Sequence, residues 1–168
     1  MTMIHSRIKK ISFLLLLCSF HISANAYYIF IPMDKSQTNH LKAYGIAYYS
    51  IERNIKVDWL LNYKGGSFMI KHLKEIENEC NIRGVSYDII ADIQSTQILQ
   101  SITSPAVNQD VVRLEKTPKI AIYSPKNKQP WDDAVTMALT FAEIPYDVVY
   151  DDEVLSNLLP LYDWLHLH

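Results

Sequence analysis

The heptapeptide Asn62-Tyr63-Lys64-Gly65-Gly66-Ser67-Phe68, NYKGGSF, holds two of the four glycines in this chain of 168 residues. It follows Val57–Leu61, an apolar run typical of a buried strand. It precedes a segment with helical spacing that we expect to extend from Met69 to Ile82. We therefore interpret the glycine pair as the tight turn between a strand and a helix, because such turns need positive φ angles or a close approach of two backbones.

The same glycine pair has an alternative interpretation as an anion site. Free backbone amides of Gly65 and Gly66 at the start of a helix, with Lys64 and Ser67 beside them, would favour a negatively charged ligand. The spacing matches neither the dinucleotide-binding motif GxGxxG nor the P-loop motif GxxxxGK[ST], so a nucleotide is not indicated.

Outside this turn, apolar strand-like runs alternate with segments of helical spacing along most of the chain. The predicted strands are Tyr27–Ile31, Val57–Leu61, Val85–Ile90, Lys119–Tyr123, Tyr146–Tyr150 and Asp163–Leu167, and the predicted helices cover about 41–55, 69–82, 92–102, 131–143 and a short segment ending near Leu159. This alternation predicts an α/β fold, a three-layer α/β/α sandwich with a mostly parallel, flavodoxin-like sheet.

Residues 103–118 are polar, contain two prolines and lack any period, so we interpret them as a connector between two halves, 27–102 and 119–168. No helix is expected after the last predicted strand to cover it. Because parallel sheets are normally covered on both faces, the second half is expected to be incomplete and the fold to be truncated at its C-terminus, the alternative being that the last strand is a natural edge of the sheet.

Residues 1–26 have the pattern of an export signal. Arg7, Lys9 and Lys10 precede the apolar run 11–20, and Ala24-Asn25-Ala26 matches a signal-peptidase site. The apolar run is about ten residues, shorter than the roughly 20 that a membrane-spanning helix needs. The chain is therefore predicted to be periplasmic or secreted after cleavage near Ala26, an uncleaved anchor being the alternative.

The charge of the chain argues against nucleic acid as a partner, and its cysteine content limits disulfide formation. Removal of residues 1–26 takes away three basic residues and no acidic ones, which changes the formal net charge from −2 to −5. No basic block remains to bind a nucleic acid. Cys80 would be the single cysteine of the mature chain, which excludes an internal disulfide, and its place on the inward face of a helix indicates packing rather than a nucleophile.

The predicted ligand site follows from the expected parallel sheet, in which ligands bind beyond the carboxyl ends of the strands. Three groups of polar residues follow predicted strands: Asp34, Asn39 and His40; Lys64, Gly65, Gly66 and Ser67; and Lys126 and Asn127. We expect them to share one rim that binds a small polar or anionic ligand or a protein partner. No cofactor is expected.

Two further sets of residues have competing interpretations. His166 and His168 lie on the same side of a predicted strand and are weak metal candidates, because a third ligand is not evident. Asp34 and His40 would form an acid–base pair if they met, and otherwise His40 is a solvated helical residue.

Four stretches carry a resemblance to a known family: IPMDKSQTNHLKAYGIAY, VDWLLNYKGGSFMIK, IAIYSPKNKQPWDDAVTMAL and IPYDVVYDDEVL…YDWLHLH. Together they resemble the N-terminal part of exported bacterial proteins labelled asparagine synthetase B. From Lys119 onward the chain is also similar to a class I glutamine amidotransferase-like domain, a resemblance that implies a flavodoxin-like fold there.

The family label implies an asparagine synthase that hydrolyses glutamine. Such an enzyme uses a cysteine at its mature N-terminus and an SGGxDS loop for ATP, whereas this chain has Thr2, an expected mature start at Tyr27 and only KGGSF. Two hypotheses follow. Either the chain is a non-catalytic exported domain that binds its ligand at the rim, or it is a fragment of an amide-transfer enzyme whose catalytic residues lie beyond residue 168.

Overall fold

The computed structural model describes residues 26–125 and 134–167, and these form two β-sheets with helices packed on them. The strands are β1 (Tyr27–Ile31), β2 (Val57–Leu61), β3 (Ser67–Lys71), β4 (Asp88–Ala91), β5 (Asp110–Leu114), β6 (Ile120–Tyr123), β7 (Asp147–Val149) and β8 (Trp164–Leu167). The helices are α1 (His40–Glu52), α2 (Lys74–Arg83), α3 (Asp92–Ile102), α4 (Ala134–Ala142) and α5 (Asp151–Leu155), with a 3-10 turn at Leu159–Leu161.

The larger sheet has five strands in the order β4-β1-β3-β2-β5, and every neighbouring pair is antiparallel. A smaller sheet has three parallel strands in the order β7-β6-β8. We call residues 26–115 the large lobe and residues 119–125 with 134–167 the small lobe. The predicted mostly parallel, flavodoxin-like sandwich is therefore wrong, because parallel pairing is confined to the small lobe.

The stretch NYKGGSF accounts for this error. It joins β2 to β3 as a β-hairpin, and the chain reverses through positive φ angles at Asn62 (59°), Lys64 (43°), Gly65 (83°) and Gly66 (91°). The carbonyl of Tyr63 accepts hydrogen bonds from the amides of both Gly66 and Ser67 at 3.0 Å, which closes the turn. The direction of β3, and with it the antiparallel pairing of β3 with β1 and β2, follows from this turn.

The residues after the turn were predicted as the start of a helix, and this interpretation is wrong. Ser67 to Ile70 are all buried because β3 is the central strand and both of its faces are covered. A continuous apolar run of that kind has no alternation to distinguish it from a buried helix. The helix begins only at Lys74 and ends at Arg83, and Gly84 with its φ of 65° is the expected left-handed C-cap.

Helices cover both faces of the large sheet. One face packs against α1 and α2 through a core that includes Ile29, Phe68, Ile46 and Ile76, together with the buried Cys80. Burial raises the pKa of the Cys80 thiol to about 12, so the prediction that this cysteine serves packing is confirmed. The opposite face packs against α3 through Phe30, Leu60, Met69 and Ile102.

Some of the other predicted helices and strands have the bounds that were predicted, and others do not. Helix α3 has the predicted bounds, Asp92–Ile102, and β2 has the predicted bounds Val57–Leu61. The strand predicted from Val85 begins at Asp88 instead. The segment 103–118, predicted to be a connector without secondary structure, contains the edge strand β5, which pairs with β2.

In the small lobe, α4 packs on β6 through Leu139, Ile120 and Ile122. Over residues 26–125 and 134–167, no helix is long and apolar enough to cross a lipid bilayer.

Candidate functional site

Four of the residues predicted to share a rim meet at one corner of the large lobe, which we call the polar corner: Asp34, His40, Lys64 and Gly65. Antiparallel pairing brings the end of β1 beside the start of β3, and the Met33 amide donates to the Lys64 carbonyl at 3.0 Å. The pKa of Asp34 is lowered first by hydrogen bonds from the Ser36 hydroxyl and amide, and further by the charges of Lys64 and His40.

The side chains of Asp34 and His40 bond to neighbouring backbone groups and to Ser36 rather than to each other. The Nε2 atom of His40 lies 3.2 Å from the Met33 carbonyl oxygen and 3.1 Å from the Asp34 carbonyl oxygen, so it faces the backbone rather than the Asp34 carboxylate. The ring therefore ties the β1–α1 connection to the first turn of α1. The Asp34 carboxylate and the His40 ring therefore do not form the acid–base pair considered from the sequence.

Asn39 and Ser67 also have structural partners. Asn39 caps α1, where its side chain accepts from the Lys42 amide, and its Nδ2 donates to the Arg83 carbonyl at 3.3 Å. Ser67 is fully buried, and its hydroxyl donates to the carbonyls of Tyr63 at 2.8 Å and Lys64 at 3.2 Å. The glycine pair belongs to a hairpin and does not begin a helix, so the helix dipole invoked for an anion is absent at this turn. Anion binding there stays a prediction.

Three of the predicted residues, Lys126, Asn127 and His168, lie outside the described residues. His166 is on β8, with its ring 6.5 Å from that of Trp164. No group of three His, Cys, Asp or Glu side chains placed to hold a metal occurs in residues 26–125 and 134–167.

A site that the sequence did not predict lies between the two lobes. It is an open apolar groove of about 570 Å³, within the range of roughly 300–1,000 Å³ common for small-molecule sites. Five of its lining side chains are aromatic, and the large and small lobes each contribute one wall. The groove is lined by Tyr44, Ala47, Tyr48, Ile51, Trp59, Phe68, Leu114, Pro118, Ile144 and Trp164.

The aromatic wall from the large lobe is held in a defined arrangement. The Tyr44 ring meets Phe68 edge-on at 5.4 Å between centroids, and Trp59 stacks on Phe68 at 6.3 Å. The Trp59 indole N–H donates to the Gly66 carbonyl at 3.1 Å, so the NYKGGSF turn also orients a groove residue. A preorganised wall of this kind loses little side-chain entropy when a ligand binds.

Tyr48 and Trp164 line the opening between the lobes. The Tyr48 hydroxyl donates to the Pro118 carbonyl over a long 3.4 Å, and burial raises the pKa of Tyr48. Trp164, at the start of β8, is 45% exposed although it lines an apolar surface. The Trp164 ring therefore gives the groove an aromatic surface that solvent or a ligand can reach.

The two lobes are joined beside the groove by the packing of α1 against α4. Glu143, just after α4, forms ion pairs with Lys42 and with Arg83, the latter at 3.1 Å. The hydrogen bond from Lys42 and the charge of Arg83 lower the pKa of Glu143. Gly45 of α1 lies directly against the Ala142 carbonyl, which allows the two helices to approach closely.

Comparisons of this chain with protein-family models, with curated proteins and with solved structures found no match. The resemblance to exported proteins labelled asparagine synthetase B therefore stays a prediction.

Proposed function

We propose that this chain is a binding domain whose ligand is a small, largely apolar molecule held in the groove between the lobes. The observation that carries this proposal is the clustering of Tyr44, Tyr48, Trp59, Phe68 and Trp164 around one opening of about 570 Å³. Burial of apolar surface contributes roughly 25 cal/mol per Å², and flat rings gain further from stacking on aromatic side chains. A flat or elongated apolar ligand fits this lining best.

The volume of the groove favours a small molecule over a protein partner. Specific protein–protein interfaces bury on the order of 800 Å² on each side, and their surfaces are broad rather than concave. The groove instead offers an occupant two walls, one on each lobe. Binding at this position would therefore also hold the two lobes together.

Replacement of Trp164 with alanine should weaken binding of the neutral fluorescent probe N-phenylnaphthylamine about tenfold, or about 1.4 kcal/mol, because one aromatic wall is removed. The measurement is a fluorescence titration of the folded protein with the probe, whose emission rises in an apolar site. Trp164 is half exposed, so the variant should remain folded.

Leu161→Ala is the matched control, because Leu161 is apolar, 61% exposed and outside the groove lining. It should leave the affinity unchanged. Equal affinities of the wild type, the Trp164 variant and the control would show that the probe binds elsewhere and would remove the groove as the ligand site.

A second candidate function is the binding of a small polar or anionic ligand, or of a protein partner, at the polar corner of an exported domain. What favours it is the convergence of Lys64 with Asp34 and His40 at one edge of the sheet. Lys64 is exposed, so its ammonium is accessible to a ligand. The periplasmic or secreted location proposed with it rests on the signal pattern in residues 1–26.

If the polar corner binds an anion, Lys64→Ala should abolish the rise in melting temperature that phosphate or a small carboxylate produces in the wild type. Lys71→Ala is the control, because Lys71 is an exposed lysine at the opposite end of β3. Thermal shifts that are the same in both variants and the wild type would exclude Lys64 from any anion site.

A further inference from the structure

A second, smaller cavity adjoins the groove and differs from it in chemistry. Its volume is about 180 Å³, and Tyr48 and Pro118 line both cavities. Behind them the small cavity presents Lys119 and Asp147, the charged side chains of its lining, whereas the groove lining carries no charge. An apolar chamber and a charged chamber therefore share the wall formed by Tyr48 and Pro118.

Lys119 is the group in this small cavity that is most available to a ligand. Its side chain is 53% exposed, and its ammonium forms only a long ion pair with Asp147 Oδ2, at 3.9 Å, which is beyond direct hydrogen-bond distance. The ammonium also lies 4.6 Å from the centroid of the Tyr162 ring, in a cation–π contact. Asp147, by contrast, has the Tyr162 hydroxyl as a hydrogen-bond partner.

We propose that the two cavities form one site for an amphipathic monoanion, whose apolar body lies in the groove and whose carboxylate or sulfonate group binds Lys119. This inference rests on the proposed function of the groove and adds the charge and polarity of its ligand. A single negative charge matches the single lysine, since the nearby Asp147 carboxylate would repel a second. Tyr48 lies between the body and the headgroup of the ligand.

A pair of probes with the same ring system tests the headgroup: anilinonaphthalene sulfonate, an anion, and neutral N-phenylnaphthylamine. Lys119→Gln should weaken binding of the sulfonate probe by about threefold to fivefold, the size expected for a partly exposed ion pair, and leave the neutral probe unchanged. Asp147→Asn should strengthen binding of the sulfonate probe by a similar factor, because it removes a repulsive charge while keeping an acceptor for Tyr162.

Lys116→Gln is the control for net charge. Lys116 is a lysine near Lys119 that is 81% exposed, pairs with Asp163 and lines neither cavity. Its replacement should change neither affinity. The effect of Lys119→Gln should also shrink at high ionic strength, because salt screens exposed charges.

The possible failures are distinguishable. If the neutral probe binds in the groove but Lys119→Gln and Lys116→Gln affect the sulfonate probe equally, the anionic headgroup site is overturned while the groove remains. If neither probe binds the folded wild type, the proposed function fails and this inference fails with it. Circular dichroism of each variant establishes that the protein used in the titrations is folded.

Discussion

Gly65→Ala should lower the free energy of unfolding by about 2–5 kcal/mol, one of the two largest effects that we expect from a single methyl group in this protein. Gly65 has a φ of 83°, where an L-residue is strained. A Cβ atom at this position would lie 2.3 Å from the Met33 carbonyl oxygen and 2.6 Å from the Met33 carbonyl carbon. Both are backbone atoms of the β1–α1 connection, so the clash cannot be relieved by a side-chain rotation.

Gly84→Ala separates the two contributions. Gly84 also has a positive φ, 65°, but an added Cβ would meet nothing within 4 Å. It should therefore cost only the backbone strain, about 1–2 kcal/mol. Chemical denaturation of the two variants measures both values, and equal losses would contradict a tight contact between the NYKGGSF turn and Met33.

Gly65→Ala should also affect the groove. Displacement of the turn moves the Gly66 carbonyl, which accepts the Trp59 indole hydrogen bond, so Trp59 should lose its fixed orientation. We expect a change in the near-ultraviolet circular dichroism of the aromatic side chains in Gly65→Ala that Gly84→Ala does not show.

Gly45→Ala should produce the second large change in the free energy of unfolding. The sign of that change shows whether α1 packs closely against α4. Replacement of a glycine in the interior of a helix by alanine ordinarily stabilises the protein by about 1 kcal/mol. At Gly45 the added Cβ would lie 1.9 Å from the Ala142 carbonyl oxygen, so α1 and α4 must move apart. We expect a net destabilisation of about 1–3 kcal/mol.

The same change should weaken probe binding, because the groove has one wall on each lobe and α1 carries Tyr44 and Tyr48. Denaturation curves and N-phenylnaphthylamine titrations of the variant measure the two consequences. Stabilisation by Gly45→Ala, as in an isolated helix, would show that the lobes do not pack through this contact. Unfolding in two steps would indicate that the lobes have been uncoupled.

Local features of the fold were predictable wherever short-range chemistry decides them. The bounds of β2 and α3, the burial of Cys80 and the left-handed C-cap at Gly84 all follow from residue types within a few positions of each other. The need for glycine in NYKGGSF was also predictable, although the element that follows it was not.

The direction of β3 was not predictable from local pattern. A strand and a helix that are buried all round both appear as an unbroken apolar run, and only the pairing partners of Ser67–Lys71 distinguish them. Strand β5 was missed for the opposite reason. As an edge strand in a polar stretch, it has no buried residue and depends on its pairing with β2.

The sequence by itself therefore determined which segments bury apolar surface, where a left-handed turn is needed and that Cys80 packs in a core. Only the tertiary structure decided that the main sheet is antiparallel and that a groove exists, because the groove lining comes from four distant parts of the chain: 44–68, 114–118, Ile144 and Trp164. Each of those parts satisfies its own local preferences without reference to the others. Their convergence is a property of long-range packing, which no short window of residues encodes.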